Sequence, residues 1–82
     1  MIDLTSDNDP LLFRAEVPAG FVIIQWNEVI AAIGQKDEYE LADVTAAMRK
    51  VARTPEVAAQ ATDEQLFGLF VRMKAAAERV GN

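Results

Sequence analysis

Apolar and polar residues alternate near the N terminus in a way that predicts two strands. In LLFRAEV, residues 11–17, the odd-numbered positions are apolar, and the opposite face carries Arg14 and Glu16. This period of two is typical of a half-buried strand. PAG, residues 18–20, favours a turn, because proline fixes φ and glycine tolerates positive φ. FVII, residues 21–24, is β-branched and aromatic, which indicates a second and more buried strand.

The hydrophobic period changes after residue 25, and this change predicts a short helix. The apolar positions are then spaced i, i+3, i+4 and i+7, at Trp26, Val29, Ile30 and Ile33. Gly34 is placed to end the helix in the αL conformation. We favour a strand that leads into a helix, and one continuous helix over residues 21–33 is the alternative. Polar residues interrupt the apolar run too early for a membrane helix.

The remainder of the chain has helical periodicity and clear helix start signals. A helix over residues 40–53 has acids in its first turn and bases in its last, as the helix dipole favours. Thr54 and Pro55 have the residue types of an N-cap and a first helical position, which predicts a separate helix over 55–60. Thr62 and Gln65 form a capping box that begins a helix over 63–80. Its apolar stripe is Leu66, Leu69, Phe70, Met73, Ala77 and Val80.

Together these elements predict a single small domain over residues 1–82. We expect a mostly helical α+β fold in which an N-terminal β-hairpin, residues 11–25, packs on three to four short helices. Residues 1–10 are acidic and are expected to be flexible. A chain of this length buries only about 60% of its unfolded surface. Such a small core often relies on a neighbouring chain for further burial.

Composition excludes several classes of function. The chain has no cysteine and no histidine, so disulfides, zinc-finger ligand sets and imidazole bases are excluded. The net charge of −5 argues against direct nucleic-acid binding. Residues 1–43 hold nine acids and two bases, whereas residues 44–82 hold four acids and six bases. The halves therefore differ in sign, and this polarity could orient a partner or a second copy.

Candidate chemistry is sparse. The densest carboxylate cluster is Asp37, Glu38, Glu40 and Asp43, which we interpret as a solvated linker and helix N terminus. The acids of residues 3–9 do not have calcium-loop spacing, and the four glycines form no phosphate-binding loop. We therefore expect no catalytic residue, no cofactor, no metal site and no small-molecule substrate.

The chain combines VPAGFVIIQWNEVIAAIGQ with two alanine-rich amphipathic helices that follow it and end in TDEQLFGLFVRMKAAAERVGN. This combination resembles the small accessory proteins of tailed bacteriophages. The resemblance lies in size, acidity, an early apolar helix and a helical tail. It implies a minor virion component or tail-assembly factor that works by binding other proteins. It also implies cytoplasmic synthesis followed by incorporation in a virion. The N terminus lacks the features of a secretory signal.

The resulting hypothesis is a non-enzymatic protein–protein interaction module, which is an oligomer or a subunit of a larger assembly. We expect the hairpin edge to add a strand from a partner and the outer face of the last helix to make apolar contacts. Trp26 has core spacing, whereas Tyr39 lies among charges. The predicted partner-binding residues are Phe13, Phe21, Tyr39, Phe67, Phe70 and Val71. The alternative is an acidic inhibitor that occupies a basic groove of a nucleic-acid-processing enzyme.

Overall fold

The computed structural model describes residues 2–4 and 11–81, which form three strands and four helices. The strands are β1 (Ile2–Leu4), β2 (Leu12–Val17) and β3 (Gly20–Gln25). The helices are α1 (Trp26–Ile33), α2 (Leu41–Val51), α3 (Pro55–Gln60) and α4 (Asp63–Gly81). The prediction of a mostly helical α+β fold with an N-terminal hairpin is confirmed.

The predicted hairpin consists of β2 and β3, which pair antiparallel with Val17 opposite Gly20 and Phe13 opposite Ile24. Gly20 has a φ of 142°, a conformation that side chains rarely adopt. A Cβ at this position would be in ordinary contact with Val57, 3.4 Å away. The backbone conformation of the turn, and not a lack of space, therefore requires glycine here.

A third strand, β1, extends the sheet and was not predicted. It pairs antiparallel with β2, with Ile2 opposite Ala15 and Leu4 opposite Phe13, so that β2 is the central strand. The strand occupies part of residues 1–10, which we expected to be flexible. Residues 1 and 5–10 of that segment lie outside the described residues.

The strand-to-helix junction at Gln25 is as predicted, and the alternative of one continuous helix is wrong. Gln25 is extended, with φ −95° and ψ 123°. Its side-chain oxygen accepts hydrogen bonds from the N–H groups of Asn27 and Glu28, which satisfies free donors of the first turn of α1. The helix ends at Ile33 and is followed by the C-cap residue Gly34, whose φ of 86° is positive as expected, although its ψ of 157° lies outside the αL region.

The helix start signals are confirmed for α4 and modified for α3. The Gln65 N–H donates to Thr62 Oγ1 at 3.1 Å, and the Thr62 N–H donates to Gln65 Oε1 at 2.9 Å, as a capping box requires. Pro55 occupies the first turn of α3, and Thr54 holds the cap position. However, the Thr54 side chain makes no capping bond and is directed to β3 instead.

The core lies between the inward face of the sheet and the helices. The stripe predicted for α4 is buried from Leu66 to Met73, whereas Val80 is 51% exposed. Burial of these large apolar side chains is the main favourable contribution to folding. The largest fully buried side chains are Phe13, Phe70, Ile24, Met48, Leu66, Met73, Val22, Val29 and Val44.

Arg49 links three helices at one end of the core. Its guanidinium donates to the carbonyl oxygens of Ala58 at 3.3 Å and Ala61 at 2.9 Å, near the end of α3. It also forms an ion pair with Asp63, at 2.8 Å, in the first turn of α4. One side chain therefore holds together α2, the C terminus of α3 and the N terminus of α4.

Candidate partner-binding site

Two of the six predicted partner-binding residues are in the core, and the prediction is wrong for them. Phe13 and Phe70 are each only 1% exposed. Phe13 lies on the inward face of β2, and Phe70 is surrounded by other aromatic rings of the protein. Both side chains are buried by packing within the chain, so neither can contact a partner in this fold.

The other four predicted residues have exposed surface. Phe21 is 43% exposed and Val71 is 51% exposed, while Tyr39 and Phe67 are half-buried. Phe67 and Val71 are four residues apart on α4, so they are neighbours on the helix surface. These four positions remain available for contact, and their role in binding stays a prediction.

Phe21 belongs to the outward face of the sheet, away from the four helices' core. The guanidinium carbon of Arg14 lies 4.3 Å from the centre of the Phe21 ring, within the range of a cation–π interaction. Glu16 is directly opposite Phe21 in the strand register and is exposed. This face therefore combines an aromatic ring with charges of both signs.

Both edges of the hairpin are already occupied, so the prediction of strand addition to the hairpin is wrong. β1 pairs with the free side of β2. On the outer side of β3, the Ile23 N–H donates to Thr54 Oγ1 at 3.2 Å, and the Arg53 N–H donates to the Ile23 oxygen at 2.8 Å. The Thr54 hydroxyl donates in turn to the Phe21 oxygen at 3.0 Å. The α2–α3 connection thus takes the place of a neighbouring strand.

Three aromatic side chains lie around Phe70, and we call these four residues the aromatic cluster. The ring centre of Phe70 lies 5.3 Å from Trp26, 5.0 Å from Tyr39 and 6.2 Å from Phe67. The Tyr39 ring meets Phe70 edge to face, which is a favourable arrangement of ring quadrupoles. The three outer rings are only half-buried. The cluster therefore supports the core and presents aromatic surface to the solvent.

Trp26 and Tyr39 also form walls of a cleft, which we call the aromatic cleft. Its volume is about 560 Å³, within the range of pockets that hold small ligands or single side chains. The two rings come from α1 and from the α1–α2 connection, and the remaining walls come from that connection and from α4. The lining residues are Trp26, Gln35, Lys36, Asp37, Tyr39, Lys74, Ala77 and Glu78.

Hydrogen bonds hold the backbone at Trp26 and the side chain of Tyr39, and both rings pack on Phe70. Trp26 is the first residue of α1, and its backbone N–H donates to the Leu11 backbone oxygen at 2.8 Å, which connects the start of the helix to the residue before β2. Tyr39 is fixed at both ends: its ring packs on Phe70, and its hydroxyl oxygen accepts a hydrogen bond from the Lys36 N–H at 3.0 Å. A cleft with such fixed walls loses little conformational entropy when a ligand binds.

The carboxylate cluster contributes to the cleft through only one of its members. Asp37, Glu38, Glu40 and Asp43 are all exposed, and among them only Asp37 lines the aromatic cleft. Among residues 2–4 and 11–81, no group of three or more aspartate or glutamate side chains is placed to hold a metal ion. The contribution of these exposed carboxylates to the site is therefore their negative charge.

Sequence reasoning identified Tyr39 but did not identify the α4 wall of the cleft. Trp26 was predicted to be a core residue; it packs on Phe70 and also forms a wall. Lys74, Ala77 and Glu78 were not predicted as site residues, and Ala77 was named only in the apolar stripe of α4. Their positions four, seven and eight residues after Phe70 place them on the same helix face. That spacing was the available signal.

In the part of the chain that the structure describes, no helix has both the length and the apolar character required to cross a bilayer. Comparison of the chain with protein-family models, with curated proteins and with solved structures gave no match. The geometry and charge of the described residues are therefore the basis on which a function can be proposed.

Proposed function

We propose that this chain is a non-enzymatic protein–protein interaction module and that the aromatic cleft is its principal contact site. The observation that supports this proposal is the placement of Trp26 and Tyr39, half-exposed, in the walls of one cleft of about 560 Å³. Tryptophan and tyrosine are enriched among the residues that contribute most to binding energy at interfaces. Each offers a large contact area at a small cost in side-chain entropy.

Binding would insert one side chain of a partner between the two rings. Phe67 and Val71 add apolar surface on the preceding turns of α4. The rim of the cleft is charged, through Lys36, Asp37 and Glu78. An apolar centre with a polar rim is the usual composition of a protein–protein interface.

We further propose that the chain works as a small subunit of a larger complex, such as a phage particle. The resemblance to accessory proteins of tailed bacteriophages supports this role, and so does the small size of the core. In this proposal the chain is made in the cytoplasm and then incorporated in the virion. The partner is a second copy of the chain or another subunit of the assembly.

A matched pair of variants tests the role of the cleft. Ala77→Arg places a long side chain in the aromatic cleft, whereas Ala75→Arg makes the same change at an exposed position of α4 that does not line it. Arginine favours helix almost as much as alanine, so both variants should fold, which circular dichroism verifies. Peptides are selected from a random display library on the wild type, and self-association is measured by the solution mass at two concentrations.

We expect peptide binding or self-association to persist in Ala75→Arg and to be lost in Ala77→Arg. The proposal is wrong if both variants bind peptides and self-associate as the wild type does. Salt separates it from the alternative of an acidic inhibitor for a basic groove. Apolar burial in the cleft should survive moderate ionic strength, whereas binding by long-range charge should decline steeply as the Debye length shortens.

A further inference from the structure

The lining of the aromatic cleft holds two lysines and two acids, and the ion pairs around it leave one of the acids without a partner among the described residues. Lys74 forms an ion pair with Glu78 at 3.1 Å, and Lys36 lies 4.0 Å from Asp43. Each lysine of the lining therefore has an acidic neighbour. Asp37 is the remaining charged group of the lining, and no described side chain forms an ion pair with it.

The surroundings of Asp37 strengthen this negative charge. The connection between α1 and α2 carries Asp37, Glu38 and Glu40 against the single base Lys36. These four side chains are exposed, whereas Tyr39, which lies among them in the sequence, is half-buried. This local excess of acids beside the cleft produces a negative potential, which attracts positively charged groups.

We infer that the aromatic cleft binds an arginine side chain of the partner. This inference rests on the proposed function and specifies its ligand chemistry. The planar guanidinium would stack against the Trp26 and Tyr39 rings and would pair with the Asp37 carboxylate. A cation over an aromatic face is attracted by the ring quadrupole, and tryptophan is the best ring for this interaction. Two independent features, the rings and the charge, thus select the same group.

Arginine fits this cleft better than lysine or an acidic group. Its guanidinium is flat and weakly hydrated, so it can stack on a ring and bond a carboxylate at the same time, whereas a lysine ammonium is compact and strongly hydrated. An acidic side chain could approach Lys36 or Lys74 only in competition with Asp43 or Glu78. It would also be repelled by Asp37.

The single tryptophan provides a direct assay. Trp26 is the only tryptophan of the chain, so its fluorescence reports on the cleft. The wild-type protein is titrated with four blocked amino acids of similar size: N-acetyl-arginine amide, N-acetyl-lysine amide, N-acetyl-glutamine amide and N-acetyl-glutamate amide. We expect saturable binding that is tightest for the arginine compound, weaker for the lysine compound, and undetectable for the acidic one.

Asp37→Asn and Glu38→Gln form the matched pair for the charge. Both remove one exposed acid from the same connection, but only Asp37 lines the cleft. We expect Asp37→Asn to raise the dissociation constant of the arginine compound about two- to fivefold, the usual effect of an exposed ion pair, and Glu38→Gln to change it less.

The inference is overturned if the arginine compound binds no better than the glutamine or glutamate compound, or if the two variants have equal effects. This result is distinct from failure of the proposed function. Peptides that require the cleft but lack arginine would leave the interaction module intact and reject only the arginine ligand. Recovery of no cleft-dependent peptide, with no cleft-dependent self-association, would reject both.

Discussion

Thr54→Val removes the hydroxyl that joins the α2–α3 connection to the outer edge of β3. In the wild type this hydroxyl accepts from the Ile23 N–H at 3.2 Å and donates to the Phe21 oxygen at 3.0 Å. Valine has nearly the same shape, so the substitution removes hydrogen bonds with little loss of packing. The free energy of unfolding should therefore report on the hydrogen bonds themselves.

The expected loss follows from the exposure of the two bonds. A typical hydrogen bond contributes about 0.5–1.5 kcal/mol net, and a buried donor left without a partner costs about 1–3 kcal/mol. The bond to Ile23 is partly buried, whereas water can replace the bond to the exposed Phe21 oxygen. We therefore expect Thr54→Val to lower the free energy of unfolding by about 1–2 kcal/mol. For a chain of 82 residues this corresponds to a fall in Tm of about 5–15 °C.

Thr45→Val is the matched control for this measurement. Thr45 is buried, and its hydroxyl donates at 3.3 Å to the Ala42 oxygen, within its own helix. Such bonds within a helix add little, because the carbonyl also belongs to the helix ladder. We expect a change below about 0.5 kcal/mol for Thr45→Val. Thr54→Ser keeps the hydroxyl and should retain most of the stability.

The free energy of unfolding of all three variants is measured by urea and thermal unfolding, with circular dichroism as the signal. Equal stability of Thr54→Val and Thr45→Val would refute the argument that the connection satisfies the backbone of β3. Thr54→Val should also promote association at high concentration, because it frees backbone groups on a strand edge.

Two further predictions concern the helix ends. Arg49→Met should lower the free energy of unfolding by about 1–2 kcal/mol, because it removes charged hydrogen bonds to the Ala58 and Ala61 oxygens at a partly exposed site. Arg53→Met is the control: it removes only an exposed ion pair and should lower the free energy of unfolding by less than about 0.5 kcal/mol in the same urea titration. Thr62→Ala should cost about 1 kcal/mol and speed amide hydrogen exchange in the first turn of α4, and unchanged exchange there would contradict a role for the capping box.

Local patterns in the sequence predicted most of the fold because the signals are short-range. The change of period at Trp26 and the capping box at Thr62 each depend on neighbours a few residues away. β1 was missed because Ile2 and Leu4 give too short a pattern, and its partner in β2 lies about ten residues further along the chain. Strand pairing over such a distance leaves no periodic signal.

The candidate site was harder to predict because it depends on tertiary contacts. Periodicity identifies apolar faces, but it does not state which of two faces is inside, and Phe13 and Phe70 were assigned to the wrong side for this reason. Tyr39 and Trp26 come together only because both pack on Phe70, more than thirty residues from either of them.

The most direct test of the account follows the indole N–H signal of Trp26 by nuclear magnetic resonance during titration with a peptide selected on the wild-type protein. The account predicts a saturable shift of this signal, with the largest backbone changes at residues 35–39 and 74–78. It is contradicted if the peptide binds while these signals stay in place and the changes lie on another surface.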